Sequence, residues 1–335
     1  MNTIRLSLLL FALVAAARTP SEPSSAGPEA AAVRTNREAP LATFALLSDI
    51  HIQETDALSH ELFVKALQDH YTINRNADML VLNGDLTNGS AVDFDRLGAL
   101  LDAVPHAPVR ATMGNHDFYR MWLHDDRYDY TRLSGEWSSA RAVDQFERQF
   151  GYDRPYHEAS VRGVPFLFMS GEAYRDVEPS VAEDAYLSDG QLDWLEERLA
   201  AFRIWREAGS RPERRLPALV FLHQPLPDTV DGSGAKRGVV QHERLRAILS
   251  KYPFAVLFSG HTHWDAETTK QVWRGGFAAV GSGAVRGAYS SADRPIEPLK
   301  SESLYVEAYP GRVVVRARDH GAKRWIGEPS VLTFR

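Results

Sequence analysis

Short apolar runs alternate along this chain with longer stretches whose apolar residues recur at helical spacing. The runs are Phe44-Ala45-Leu46-Leu47, Met79-Leu80-Val81-Leu82, Val109 to Met113, Ala218 to Leu222 and Ala255-Val256-Leu257-Phe258. Runs this short, apolar on both faces, predict strands buried between layers. Between them, Asp56 to Ile73 carries Leu58, Leu62, Phe63, Ala66 and Leu67 on one helical face, and Ser90 to Val104 repeats the spacing with Phe94, Leu97, Leu100 and Leu101. Ser188-Asp189-Gly190-Gln191 predicts a capping box that opens a helix with Leu192, Leu195 and Leu199 on one side. Alternating strands and helices predict an α/β architecture, in which ligands gather at the carboxyl ends of the strands. Leu304 to Phe334, with Val313-Val314-Val315 after a Pro310-Gly311 turn, reads as closing strands of the same domain.

Each of the five runs ends in a compact polar cluster. These are Ser48-Asp49-Ile50-His51, Asn83-Gly84-Asp85, Gly114-Asn115-His116-Asp117, His223-Gln224-Pro225 and Ser259-Gly260-His261-Thr262-His263. Taken singly, each reads as readily as a turn, a cap or a surface loop. Five of the twelve histidines fall in these clusters, always after a buried run, and that ordering points to one shared site. In Asp49-x-His51 and His261-x-His263, an extended chain would turn both side chains the same way. Gly84, Gly114 and Gly260 let the backbone turn sharply and come close. The donors are all nitrogen and oxygen, a set that suits Zn, Fe, Mn, Co or Ni.

Composition narrows the chemistry. The chain has no cysteine, which removes disulfides, thiolate metal sites and thiol nucleophiles. A formal charge of -6 argues against a nucleic-acid polymer as partner, although bound cations would still attract a small phosphate ester. At the N-terminus, Arg5, the apolar stretch Leu6 to Ala17 and Ala15-Ala16-Ala17 before Arg18 read as a signal peptide over residues 1–17. This stretch is too short for a transmembrane anchor, which needs about 20 apolar residues. Residues 18–40, rich in Ala, Pro, Ser and Glu, read as a disordered tether, leaving 41–335 as the folded domain. The expectation is an exported protein: periplasmic, envelope-associated or secreted.

The ordered set Asp-x-His, Gly-Asp, Gly-Asn-His-Asp, His, Gly-His-x-His resembles the signature of the calcineurin-like metallophosphoesterases, over roughly Leu41 to Arg286. That resemblance implies a four-layer αββα sandwich with two mixed β-sheets. It implies two divalent ions (Mn, Fe, Zn or Co), one held by Asp49, His51 and His263, the other by Asn115, His223 and His261, with Asp85 bridging both. It also implies hydrolysis of a small phosphate ester by in-line attack of a bridging hydroxide, with His116 protonating the leaving oxygen and Asp117 orienting the His116 ring. Ser-Asp-x-His and Asn-Gly-Asp-Leu-Thr are similar to the bacterial cyclic-nucleotide and glycerophosphodiester phosphodiesterases, which favours small phosphodiesters. Purple acid phosphatases carry Tyr three residues after the Gly-Asp aspartate, where this chain has Asn88. Two other readings stand beside this one: a secreted phosphomonoesterase, and a non-catalytic scaffold, which would be expected to have lost ligands that are intact here. Phe118 to Trp137 brings aromatic and basic residues next to the third cluster, so Tyr119 is a candidate for contacting substrate. Arg286, after the last His pair, is a candidate phosphate contact.

Overall fold

The computed structural model describes residues 39–125, 127–208, 214–234 and 238–334. The predicted signal peptide and tether residues 18–38 lie outside the described residues. In chain order the elements are β1 (Ala42–Leu47), α1 (Ala57–Ile73), β2 (Met79–Asn83), α2 (Ala91–Ala103), β3 (Val109–Thr112), β4 (Leu123–His124), β5 (Arg127–Tyr128), α3 (Ser139–Phe150), β6 (His157–Val161), β7 (Val164–Phe168), α4 (Asp189–Glu207), β8 (Ala218–Phe221), α5 (His242–Ser250), β9 (Ala255–Ser259), β10 (Val272–Arg274), β11 (Ala278–Gly281), β12 (Glu302–Tyr309), β13 (Arg312–Asp319) and β14 (Arg324–Thr333).

Two six-stranded sheets form, in the orders β14-β13-β12-β1-β2-β3 and β10-β11-β9-β8-β7-β6. Both are mixed: β1, β2 and β3 run parallel while β12, β13 and β14 add antiparallel, and β7, β8, β9 and β11 run parallel between antiparallel β6 and β10. Side-chain alternation sorts the strands between two cores. In β1, Phe44 and Leu46 face the second sheet, while Ala45 and Leu47 face α1 and α2; Val81 and Leu80 divide β2 in the same way. Phe44 sits at the centre of the inter-sheet layer, edge-on to Phe166, Phe221 and Phe258 at 5.3, 5.6 and 5.7 Å. Leu192, Leu195 and Leu199 of α4 and Leu245 and Ile248 of α5 pack on the other face of the second sheet, completing the four layers expected from the family resemblance.

The helix starts follow their capping residues. Asp56 and Ser90 accept from Leu58 N and Asp93 N at the first turns of α1 and α2. Leu58, counted on the apolar face of α1, is exposed in that first turn. At α4, Ser188 accepts from Gln191 N, but the reciprocal half of the predicted capping box is absent. Glu172 takes the Ser188 N–H instead, and the Gln191 side chain ties α4 to the backbone of Ser170. Among the described residues no helix is long and apolar enough to cross a membrane.

Candidate metal centre

The carboxyl ends of β1, β2 and β3 meet those of β8 and β9 at one edge of the sandwich. Asn83, at the end of β2, joins the two sheets there. Its amide donates to the carbonyls of Leu222 and Phe258, and its carbonyl accepts from Ser48 Oγ and His223 Nδ1, each at 2.8 Å. Asp49, His51, Asp85 and His263 converge as one group, and Asp85, His223 and His261 as another, with every donor atom in a group within 4.8 Å of the rest. Asp85 belongs to both. The two groups bring together six of the seven residues expected as ligands, and the seventh, Asn115, lines a groove with Asp85 and His261.

The local backbone differs from the extended geometry expected of the Asp-x-His and His-x-His pairs. Asp49, His51, His261 and His263 have φ of 54°, 52°, 68° and 56°, and Asp85 has 50°. These are left-handed conformations, each costing roughly 1–3 kcal/mol, held in place by the surrounding structure. Alternating left-handed residues, rather than strand pleating, turn each pair inward. Close approach makes the glycines necessary: a Cβ on Gly260 would lie 1.9 Å from Ser48 Oγ and 2.6 Å from Asp49 Oδ2. Backbone donors then aim the carboxylates, with His261 N donating to Asp49 at 3.1 Å and His116 N to Asp85 at 2.8 Å.

Carboxylates and imidazoles of opposite charge tendency lie against one another in the cluster. Burial works to raise the Asp49 and Asp85 carboxyls, but the imidazoles around them win and hold both well below the usual carboxylate range. Burial would lower His223, yet Asp85 and Asp49 bring it up to about 9. Burial, reinforced by His223, takes His261 down to about 3.

Ring nitrogens, an amide oxygen and carboxylates crowd together here. His51 Nε2 and His263 Nε2 face each other at 3.0 Å, while His263 Nδ1 is committed to the Gly287 carbonyl. With Nδ1 carrying the proton, His263 Nε2 presents a lone pair. His261 Nε2 and Asn115 Oδ1 are buried without a hydrogen-bond partner. Buried polar atoms are normally satisfied, so convergent lone pairs of imidazole, amide oxygen and carboxylate fit a pair of cations.

Around this cluster the candidate reactive residues take different places. His116 Nδ1 meets Asn88 Oδ1 at 3.2 Å, and the Tyr119 ring stacks on the imidazole at 3.9 Å. Asp117 does not orient His116, correcting the role expected for it. Its carboxylate is buried and accepts from Leu86 N, Thr87 N, Thr87 Oγ1 and Gly114 N, clamping the second and third loops together. Burial and nearby Asp85 raise the Asp117 carboxyl to about 7, opposed by those backbone N–H groups. Tyr119 lines the site, but its hydroxyl donates to Glu183 at 2.9 Å rather than standing free for substrate. Arg286 lines the site beside His51, and its Nε pairs with Asp56 at 3.0 Å. Phe118, Met121 and Trp122 of the aromatic stretch are core residues, whereas Tyr130 is exposed at the rim. Asn83 and Glu183 escaped sequence reasoning; Asn83 had a signal in its place before Gly84-Asp85, and Glu183 had none.

Two grooves open from the cluster, of about 520 Å³ and 480 Å³, sharing His116, His263, Tyr289 and Pro295. Among the described residues Arg286 is the sole Lys or Arg lining either, while Asp56, Glu183 and Asp293 are acidic.

The family model described as calcineurin-like phosphoesterase matches residues 42–265. No curated protein matches the chain. Among solved structures, a dimetal phosphatase from Danio rerio superposes with TM-score 0.60 at 15% identity, covering 88% of this chain and 100% of the other. A purple acid phosphatase from yellow lupin (Lupinus luteus) seeds superposes with TM-score 0.58 at 15% identity, covering 87% of this chain and 53% of the other. At these identities the likeness concerns the fold.

Proposed function

The chain belongs to the calcineurin-like phosphoesterase family and is a metal-dependent phosphoesterase; we propose that small phosphodiesters are its substrates. In this reading Asp49, His51 and His263 hold one divalent ion, Asn115, His223 and His261 hold the other, and Asp85 is shared. When bound, such a pair lowers the pKa of water and neutralises charge on phosphoryl oxygens. The protein supplies the rest. Asn88 Oδ1 accepts the His116 Nδ1 proton and Tyr119 stacks on the ring, so only the doubly protonated imidazole can give a proton from Nε2 to the leaving oxygen, returning to the neutral Nδ1–H tautomer.

The observation that carries the diester reading is the pair of grooves meeting at His116 and His263. A diester has two substituents and fills both; a monoester leaves one empty. The predicted signal peptide adds export to this proposal.

The test compares bis-p-nitrophenyl phosphate with p-nitrophenyl phosphate on Mn²⁺-loaded protein. Higher kcat/KM on the diester supports the reading, and preference for the monoester replaces it with a secreted phosphomonoesterase. No turnover of either with both ions bound would return the non-catalytic scaffold.

A further inference from the structure

We propose that Glu183 is a positioning residue for the second ion, acting through Asn115; the inference rests on the reading of Asn115 as a ligand. Asn115 Nδ2 donates to Glu183 Oε2 at 2.9 Å, and Asn115 Oδ1 is left buried without a partner in the groove that Asn115 lines together with Asp85 and His261. An amide can present either its oxygen or its NH₂ to a cation, and only the oxygen binds one. Glu183 decides between them, because a carboxylate accepts and does not donate. Turning the amide over would set Asn115 Oδ1 against Glu183 Oε2, acceptor against acceptor, and point N–H groups at the ions.

The carboxylate is itself held firmly enough for this task. Tyr119 and Tyr174 donate their hydroxyls to it at 2.9 and 3.0 Å, and Arg175 contributes an ion pair at 2.7 Å. The Glu183 carbonyl accepts from Gln224 Nε2, next in sequence to His223, and the preceding residue, Ala182, takes a left-handed φ of 53°. Tyr119 in turn stacks on His116. One carboxylate therefore orients the Asn115 amide and braces the ring against which His116 rests.

Calorimetric titration of the metal-free protein with Mn²⁺ separates this role from general support of the fold. Wild type takes up two ions. Glu183→Ala binds one ion with unchanged affinity and the other about 10–100-fold more weakly, the usual effect of losing a group that orients a ligand. Glu183→Gln retains an acceptor oxygen for Nδ2 and falls between the two. In an Asn115→Asp background both ligand oxygens are equivalent, so neither Glu183 substitution weakens the second ion further. The Gln variant, nearly isosteric, carries the comparison should the Ala variant not fold. Equal weakening of both ions, unchanged binding of both, or the same loss in the Asn115→Asp background would overturn the proposal. Failure of wild type to bind two ions would instead contradict the dinuclear reading beneath it.

Discussion

Asn88 Oδ1 lies 3.2 Å from His116 Nδ1, so the imidazole at the meeting of the two grooves is fixed by an amide from the preceding loop and not by the aspartate next to it. Asn88→Ala should lower kcat by about 10-fold or more with Mn²⁺ uptake unchanged, and His116→Ala by about 10²–10⁴-fold. Steady-state kinetics with metal analysis checks both. Unchanged kcat in Asn88→Ala would remove the orienting role.

Asp117 makes the opposite prediction. Its four donors all belong to the polypeptide around Leu86, Thr87 and Gly114, so Asp117→Asn turns an NH₂ against backbone N–H groups. The expected cost is about 1.5–3 kcal/mol of stability, seen as a lower Tm of the metal-loaded protein. A fall in kcat with unchanged Tm would restore Asp117 to a part in the chemistry.

Gly260 tests how tightly the cluster is built. The Cβ of Gly260→Ala would displace Asp49, and a shift of about 1 Å at such a site costs on the order of 10²-fold in rate. Metal content and turnover should both fall. Gly190→Ala, where a Cβ meets nothing closer than 3.8 Å, should leave both unchanged.

Acid sensitivity should come in part from His157. Its ring lies between Tyr152 at 3.9 Å and Phe168 at 4.7 Å, and neither nitrogen has a partner. Burial, then Arg110 and Arg154, pushes it down to about 3. The unfolded chain, with an ordinary value near 6.5, binds the proton first. Stability contributed by neutral His157 is therefore full above about pH 6.5 and is lost as pH falls toward about 3. His157→Phe should gain in Tm over wild type progressively from pH 7 to pH 4. Parallel Tm curves would contradict this.

The sequence carried the candidate ligands because each follows a buried run whose carboxyl end had to reach the same edge. It did not carry their left-handed backbones: Asp49-x-His51 reads as extended chain until the loops are seen packing on Asp85 and Gly84. The β6–β7 hairpin was readable in principle, since Arg162-Gly163, with φ of 46° and 85°, is a turn pair typical of such hairpins. Glu183 was not readable, for it reaches Asn115 across 68 residues with no motif around it. Asn88 stood out only as the place where purple acid phosphatases have Tyr, and its hold on His116 comes from the fold.

Anomalous diffraction from crystals loaded with Mn²⁺ would locate the ions themselves. Two peaks should appear, one in contact with Asp49, His51 and His263, the other with Asn115, His223 and His261, both touching Asp85. A single peak, or two peaks on other residues, would contradict the dinuclear centre on which the proposed chemistry depends.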